Sequence, residues 1–269
     1  MKLVVLGSGT SVPHPQRAAA GFWLETETGS LLLDCGADTV HRMAAENLDW
    51  ANVDAVWISH LHLDHCGGLA SFLFGTKHAP QTQSRQKPLR IFGCRGIGKL
   101  LSAIDGANDY GLFDQPFPLE LREISTGNSP EADFEVLPEL RARSFSTRHT
   151  NESLAIRLTD RTGASVVYSS DTGYDEGLAA FARRVDLLIL ECSFWRNKPT
   201  AKHLELAEAM RLARLAEPRK VILTHLYLEW DGIDLESKAK ELWPGETIAA
   251  RDGLRLDIQN RTRVQNREQ

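Results

Sequence analysis

The chain has 269 residues, 42% of them hydrophobic and 25% charged, with a formal net charge of −5. That is the composition of a globular protein with a full core, and its acidic balance speaks against a dedicated nucleic-acid binder while leaving room for a local basic patch. The opening MKLVVLGSGTS is too short an apolar run for a signal-peptide core and no other stretch approaches a membrane span, so a soluble cytoplasmic protein with no membrane partner is expected.

The first elements in the chain are strands. KLVVL (2–6), GFWLET (21–26) and SLLLDCG (30–36) are short apolar or alternating runs broken by glycine, proline and small residues. DTVHRMAAENL (38–48) reads as a helix, followed by the buried-type strand DAVWIS (54–59) and a short helix in GGLASFLFG. TKHAPQTQSRQKPLR (76–90) is polar, basic and proline-containing, and reads as an exposed loop with solvated charges. RIFG (90–93) leads to a helix at 97–105 and then to a strand-rich middle, PLELREI, DFEVL, LRARSFS, SLAIRLT and SVVYSS. Alternation in LRARSFS places one of its faces on the core. The last third runs DLLILECS (186–193), a helix LELAEAMRLARLA (204–216), KVILTH (220–225), a short helix near 235–242 and two small strands.

Many strands in each half, with helices between them, fit two sheets with helices packed outside. No linker rich in Gly, Ser or Pro divides the chain, so one domain over 1–269 is expected. The four cysteines, Cys35, Cys66, Cys94 and Cys192, form no CxxC pair and are expected as free, buried thiols.

Chemistry concentrates in VWISHLHLDHCGG (56–68), which holds three of the nine histidines within six positions. His60 follows a strand directly, where α/β sites commonly lie. A spacing of two in extended backbone sends His60 and His62 to the same side, and a turn at Asp64–His65 aims a second pair at a neighbouring point. Four consecutive groups would be cramped around one metal ion, so two adjacent positions completed by distant ligands fit better. The distant partners share the placement of His60: His149 in STRHTN, Asp171 after VVYSS, and His225 ending VILTH each lie past an apolar strand. Imidazole and carboxylate suit divalent transition metals, zinc first, with manganese or iron as alternatives. We assign His60, His62 and His149 to one ion, Asp64, His65 and His225 to the other, and Asp171 as a bridge.

HLHLDH with downstream His, Asp and His in this order resembles the metallo-β-lactamase superfamily, an αββα sandwich (α/β class) with a two-metal site at its edge. VVLGSGTSVP and LLLDCG are similar to that family's opening strand and loop and its third strand. The resemblance implies that Asp34 orients metal-bound groups without binding metal itself. LILECSF (188–194) followed by AKHLELAEAMRLA (201–213) resembles the ribonuclease Z-like phosphodiesterase branch, in which a His before a helix assists phosphate-ester cleavage. His203 holds that position here, at the start of a helix whose amides would also favour an anion. Three departures count. Leu190 stands where ribonuclease Z has a His, and Leu204 and Glu205 replace small hydroxyl residues. The interval from His149 to Asp171 is too short for the tRNA-gripping insertion.

The expected activity is therefore two-metal hydrolysis of a phosphodiester by a metal-bridging hydroxide. Asp64 would orient the nucleophile or take its proton, and His203 would protonate the leaving oxygen. Arg148, beside His149, is a candidate contact for a small anionic ester or phosphodiester; RNA is a further candidate substrate, and a homodimer is compatible with the sequence. The alternatives are hydrolysis of a lactone, thioester or β-lactam at the same metals, or a non-catalytic metal or ligand sensor.

Overall fold

The computed structural model describes residues 1–124 and 133–260. Strand periodicity divides the apolar residues between two surfaces. In β1 (Lys2–Gly7), Leu3 and Val5 face one way and Val4 and Leu6 the other, and all four are buried. The same parity runs through β2 (Gly21–Glu25), β3 (Ser30–Leu33) and β4 (Ala55–Ile58), so each strand needs cover on both faces.

With β5 (Leu89–Cys94), β6 (Leu119–Ile124) and the late β14 (Arg255–Asp257), these strands form a sheet in the order β14-β1-β2-β3-β4-β5-β6. The second sheet has the order β13-β12-β11-β10-β9-β8-β7. Its members are β7 (Phe134–Leu137), β8 (Leu140–Ser146), β9 (Leu154–Asp160), β10 (Ser165–Tyr168), β11 (Leu187–Glu191), β12 (Lys220–Thr224) and β13 (Glu246–Ala249). Each sheet is antiparallel on one side and parallel on the other: β3 to β6 and β10 to β13 are parallel runs.

Leu3, Val5, Phe22, Leu33 and Trp57 from the first sheet meet Ile156, Val166, Ile189 and Ile222 from the second in the central core. Val4, Trp23, Val56 and Ile58 on the first outer face are covered by α1 (Thr39–Ala45), α3 (Leu69–His78) and α4 (Ile97–Asn108), with the one-turn α2 (Leu63–Cys66) between α1 and α3 in the chain. Val167, Leu188, Leu190 and Leu223 on the other are covered by α5 (Glu176–Phe181), α6 (Leu206–Ala216) and α7 (Leu235–Leu242). The architecture is the expected αββα sandwich. Among the described residues, no helix is long and apolar enough to cross a membrane.

Two expectations need correction. Residues 76–90 are exposed only in part and are not all loop: α3 continues to His78, a 3-10 turn follows at Pro80–Thr82, and Arg85 is only 5% exposed. Its guanidinium donates to the carbonyls of Ala51, Val53, Lys87 and Pro88, closing the approach to β5. A charge spent on four backbone oxygens is structural, not solvated. The second correction concerns α6, which begins at Leu206 instead of 204. Glu205 and Glu208 form a capping box there, with the Glu208 carboxylate accepting the Glu205 N–H. Acidic side chains therefore occupy the helix start, and the anion-favouring amides expected beside His203 are already engaged.

Candidate metal centre

The parallel strands deliver their C-terminal ends to one edge of the sandwich. β3 leads into Asp34, β4 into Ser59 and His60, β10 into Ser169 to Asp171 and β12 into His225, while β11 ends at Glu191. Three of these exits turn through the left-handed region without glycine: Asp34 (φ 57), Ser170 (φ 54) and His225 (φ 60). Such backbone costs on the order of 1 kcal/mol or more per residue and persists where the surroundings enforce it. Here it turns carboxylate and imidazole groups inward. His62 keeps extended backbone and precedes α2, whose single turn carries Asp64 and His65.

The predicted residues converge. His60, His62, His149 and Asp171 form one group able to hold a cation; Asp64, His65 and His225 form a second, and Asp171, His203 and His225 a third. Within each group the candidate ligand atoms lie within 4.8 Å of one another. Asp171 is central: its Oδ2 is 3.8 Å from His60 Nε2, 3.6 Å from His149 Nε2 and 3.4 Å from His225 Nε2, and its Oδ1 is 3.3 Å from His65 Nε2. Asp64 Oδ2 is 3.3 Å from His225 Nε2 and 3.7 Å from His65 Nε2. His62 alone of the seven is exposed. Arg148 stays outside the cluster, largely exposed, with Nε 2.9 Å from Asp175 Oδ2.

The chemistry of this donor set fits metal ions. Among the described residues, His60 Nε2, His65 Nε2 and Asp171 Oδ1 are buried without a hydrogen-bond partner. An orphaned buried polar group costs about 1–3 kcal/mol, and three facing one another is the pattern a cation relieves. The buried carboxylates Asp34, Asp64, Asp171 and Glu191 have only histidines as ion-pair partners within 4 Å among the described residues.

Burial pushes the Asp171 carboxyl up, but the charges of His225, His65 and His60 override it and hold the group well below the usual carboxylate range. Burial likewise works against Asp64, and the bond from His225 with the charge of His65 keeps it low. His60 is driven well below the ordinary imidazole range by burial and by His65, and burial also lowers His149. His65 goes the other way: burial lowers it, and Asp171 and Asp34 raise it well above.

Three supporting residues were missed by sequence reasoning. Glu191 is 1% exposed and accepts the N–H groups of Thr172, Ser193 and Leu204. It also faces His203 Nδ1 at 2.9 Å. Ser193 Oγ donates to Glu191 Oε2 and lies 2.9 Å from His225 Nδ1. Tyr168 donates to Asp34 Oδ2. An ionisable residue inside the apolar run LILEC was the available signal for Glu191; the other two look like ordinary strand residues. Asp34 accepts from Ser59 and lies 2.7 Å from His65 Nδ1, a position behind the candidate ligands.

Residues 30–226 match the family model described as the beta-lactamase superfamily domain. The chain is 31% identical over 268 residues to the uncharacterised protein ML1173 of Mycobacterium leprae, covering 98% of this chain and 91% of that one. It is 27% identical over 261 residues to the probable metallo-hydrolase YhfI of Bacillus subtilis (94% and 98% covered) and 26% identical over 317 residues to ribonuclease Z of Haloferax volcanii (96% and 95% covered). The crystal structure of YhfI, a metallo-beta-lactamase fold protein, superposes with a TM-score of 0.78 at 24% identity, covering 95% of this chain and 99% of that one. That of human tRNase Z, short form, superposes with a TM-score of 0.76 at 20% identity, covering 97% and 100%. The fold is the metallo-β-lactamase fold.

Proposed function

The chain belongs to the beta-lactamase superfamily domain family, and from that premise we propose that it is a hydrolase using two divalent metal ions to cleave phosphodiester bonds. The carrying observation is the convergence of seven imidazole and carboxylate side chains from both sheets, with His203 lodged beside them on Glu191. His60, His62 and His149 would hold one ion and Asp64, His65 and His225 the other, with Asp171 shared; the donors suit zinc, manganese or iron. Bound there, the ions would lower the pKa of a water molecule and offset charge on the substrate's oxygens.

The protein's own groups supply the rest. Asp64, held ionised by His225 and His65, orients the attacking water through its carboxylate and can accept its proton. His203 has Nδ1 engaged by Glu191 Oε1, which leaves Nε2 to donate a proton to the departing oxygen. Burial disfavours the charged ring, but the bond and charge of Glu191 outweigh it, so the imidazolium persists above the ordinary histidine range. Lys198 Nζ donates to the His203 carbonyl at 2.8 Å and fixes the segment. An acid of this kind is needed to expel an alkoxide from phosphorus and is superfluous for a thiolate, which favours the phosphodiester over a thioester. The similarity to ribonuclease Z supports the same class, while the short His149–Asp171 interval favours a substrate smaller than tRNA.

The test is metal analysis of the purified protein, with assays on a chromogenic phosphodiester, a lactone and nitrocefin. Phosphodiester turnover, lost together with metal in His60→Ala and Asp171→Ala, is expected. Full metal content with undiminished hydrolysis in both variants overturns the assignment.

A further inference from the structure

The phenol of Tyr168 belongs to the second sheet but ends in the first. The residue is 2% exposed, its ring packs on Phe22 with centroids 5.1 Å apart, and its hydroxyl donates to Asp34 Oδ2 at 2.7 Å. Asp34 is a junction behind the cluster. Its Oδ1 accepts the Ser59 N–H at 2.7 Å, and its Oδ2 accepts the Ser59 hydroxyl at 2.8 Å and faces His65 Nδ1 at 2.7 Å. The Ser59 oxygen is also 3.1 Å from His60 Nδ1. One carboxylate thus reaches a member of each donor group, His65 directly and His60 through Ser59.

A neutral imidazole that offers Nε2 to a cation keeps its proton on Nδ1, and an acceptor for that proton fixes the ring's tautomer and orientation. Asp34 and Ser59 are those acceptors for His65 and His60. Ser59, just past β4, and His65 on α2 hold Asp34 from the first sheet's side. Tyr168 adds a tie from the second sheet, on the same segment that carries Ser170 and Asp171. Ser170 Oγ, 3.3 Å from His60 Nδ1, reaches across in the same way.

We infer that Tyr168 is a positioning residue for both metal positions: through Asp34, its hydroxyl sets His65 and His60 against Asp171, three residues further along its own chain. The inference rests on the metal-centre reading given above. Without the hydroxyl, the carboxylate keeps Ser59 and His65 but loses its tie to the second sheet, so both imidazoles are held less firmly against Asp171. Removing a direct partner of a metal-binding imidazole costs about 10- to 100-fold in metal affinity, and Tyr168, one bond further out, is expected at the lower end of that range.

Tyr168→Phe keeps the ring and removes only the donor. Tyr168→Met is a second donor-free filler, and either folded variant suffices. Zinc affinity is measured by competition with a chromophoric chelator, alongside melting with and without zinc. An affinity loss of about 10-fold or more is expected, with a smaller zinc-induced rise in Tm. In an Asp34→Asn background, Tyr168→Phe should weaken zinc binding by only about three-fold or less, because both act through one carboxylate. Equal Tm losses in the zinc-free and zinc-loaded forms, with unchanged affinity, would mean a merely structural role and overturn the inference. A wild-type chain that takes up no zinc, manganese or iron overturns the metal-centre reading instead.

Discussion

The Glu191 carboxylate lies 2.9 Å from Nδ1 of His203, although the two residues sit on separate elements, the end of β11 and the segment before α6. The same carboxylate collects three backbone N–H groups and the Ser193 hydroxyl, so it is held in place whether or not the imidazole is charged. The pair is a fixed carboxylate facing an imidazole whose proton can come and go.

A pH dependence follows from that pair. Glu191 raises the His203 imidazole against the opposing effect of burial. The acid form is therefore complete below this raised value and is lost as pH climbs through it, so kcat should fall on the alkaline side. Glu191→Gln removes the charge and should move that alkaline limb to lower pH, read from kcat–pH profiles of the two proteins. A limb that stays in place would separate Glu191 from the titration.

Leaving-group chemistry isolates the role of His203. His203→Ala should cost about 10² to 10⁴-fold in kcat on a phosphodiester with an alkoxide leaving group, and far less on a p-nitrophenyl ester, whose phenolate departs unprotonated. Equal losses on both substrates would assign His203 to binding or to metal ligation alongside Asp171 and His225.

Metal removal should destabilise the protein, since Asp64 and Asp171 would be left beside unpartnered imidazole nitrogens. Readdition of a bound metal at 100 times its Kd should restore about 2.7 kcal/mol. Melting in chelator, before and after repletion with zinc, manganese or iron, checks this, and coincident melts would speak against a metal in the folded centre.

Arg85 predicts a stability effect with no catalytic counterpart. Arg85→Ala leaves the carbonyls of Ala51, Val53, Lys87 and Pro88 without their donor and should cost about 3 kcal/mol in urea unfolding. Specific activity of the folded fraction should be unchanged. A cost below about 0.5 kcal/mol, the usual size of a surface substitution, would return the residue to the solvated loop read from sequence.

The cysteines should be silent. Cys35, Cys66, Cys94 and Cys192 are free and buried, and burial raises every one of the thiols, Cys66 to about 12. Thiol titration at neutral pH should find none reactive in the native protein and four after unfolding; rapid native labelling would show that the edge near Cys66 opens.

Which side chains gather was legible in the sequence. His60, His62, Asp64, His65, Asp171 and His225 are recognisable because they follow apolar strands whose parallel runs end on one edge of the sandwich, and His149 reaches that edge from the turn between the antiparallel β8 and β9. Side-chain alternation, being local, also made the two faces of β8 legible. Helix ends were less legible: α6 starts two residues late because Glu205 and Glu208 cap it, an interaction that depends on the backbone already being turned. What stands behind the candidate ligands is a matter of tertiary structure. Tyr168 and Asp34 are separated by 134 positions, and Glu191 and His203 approach only because β11 and the segment before α6 meet at that edge. Nothing in the local pattern of VVYSS distinguishes a phenol packed in the core from one whose hydroxyl reaches the other sheet. The register and spacing of two packed sheets make that distinction, and they are set by the whole core at once.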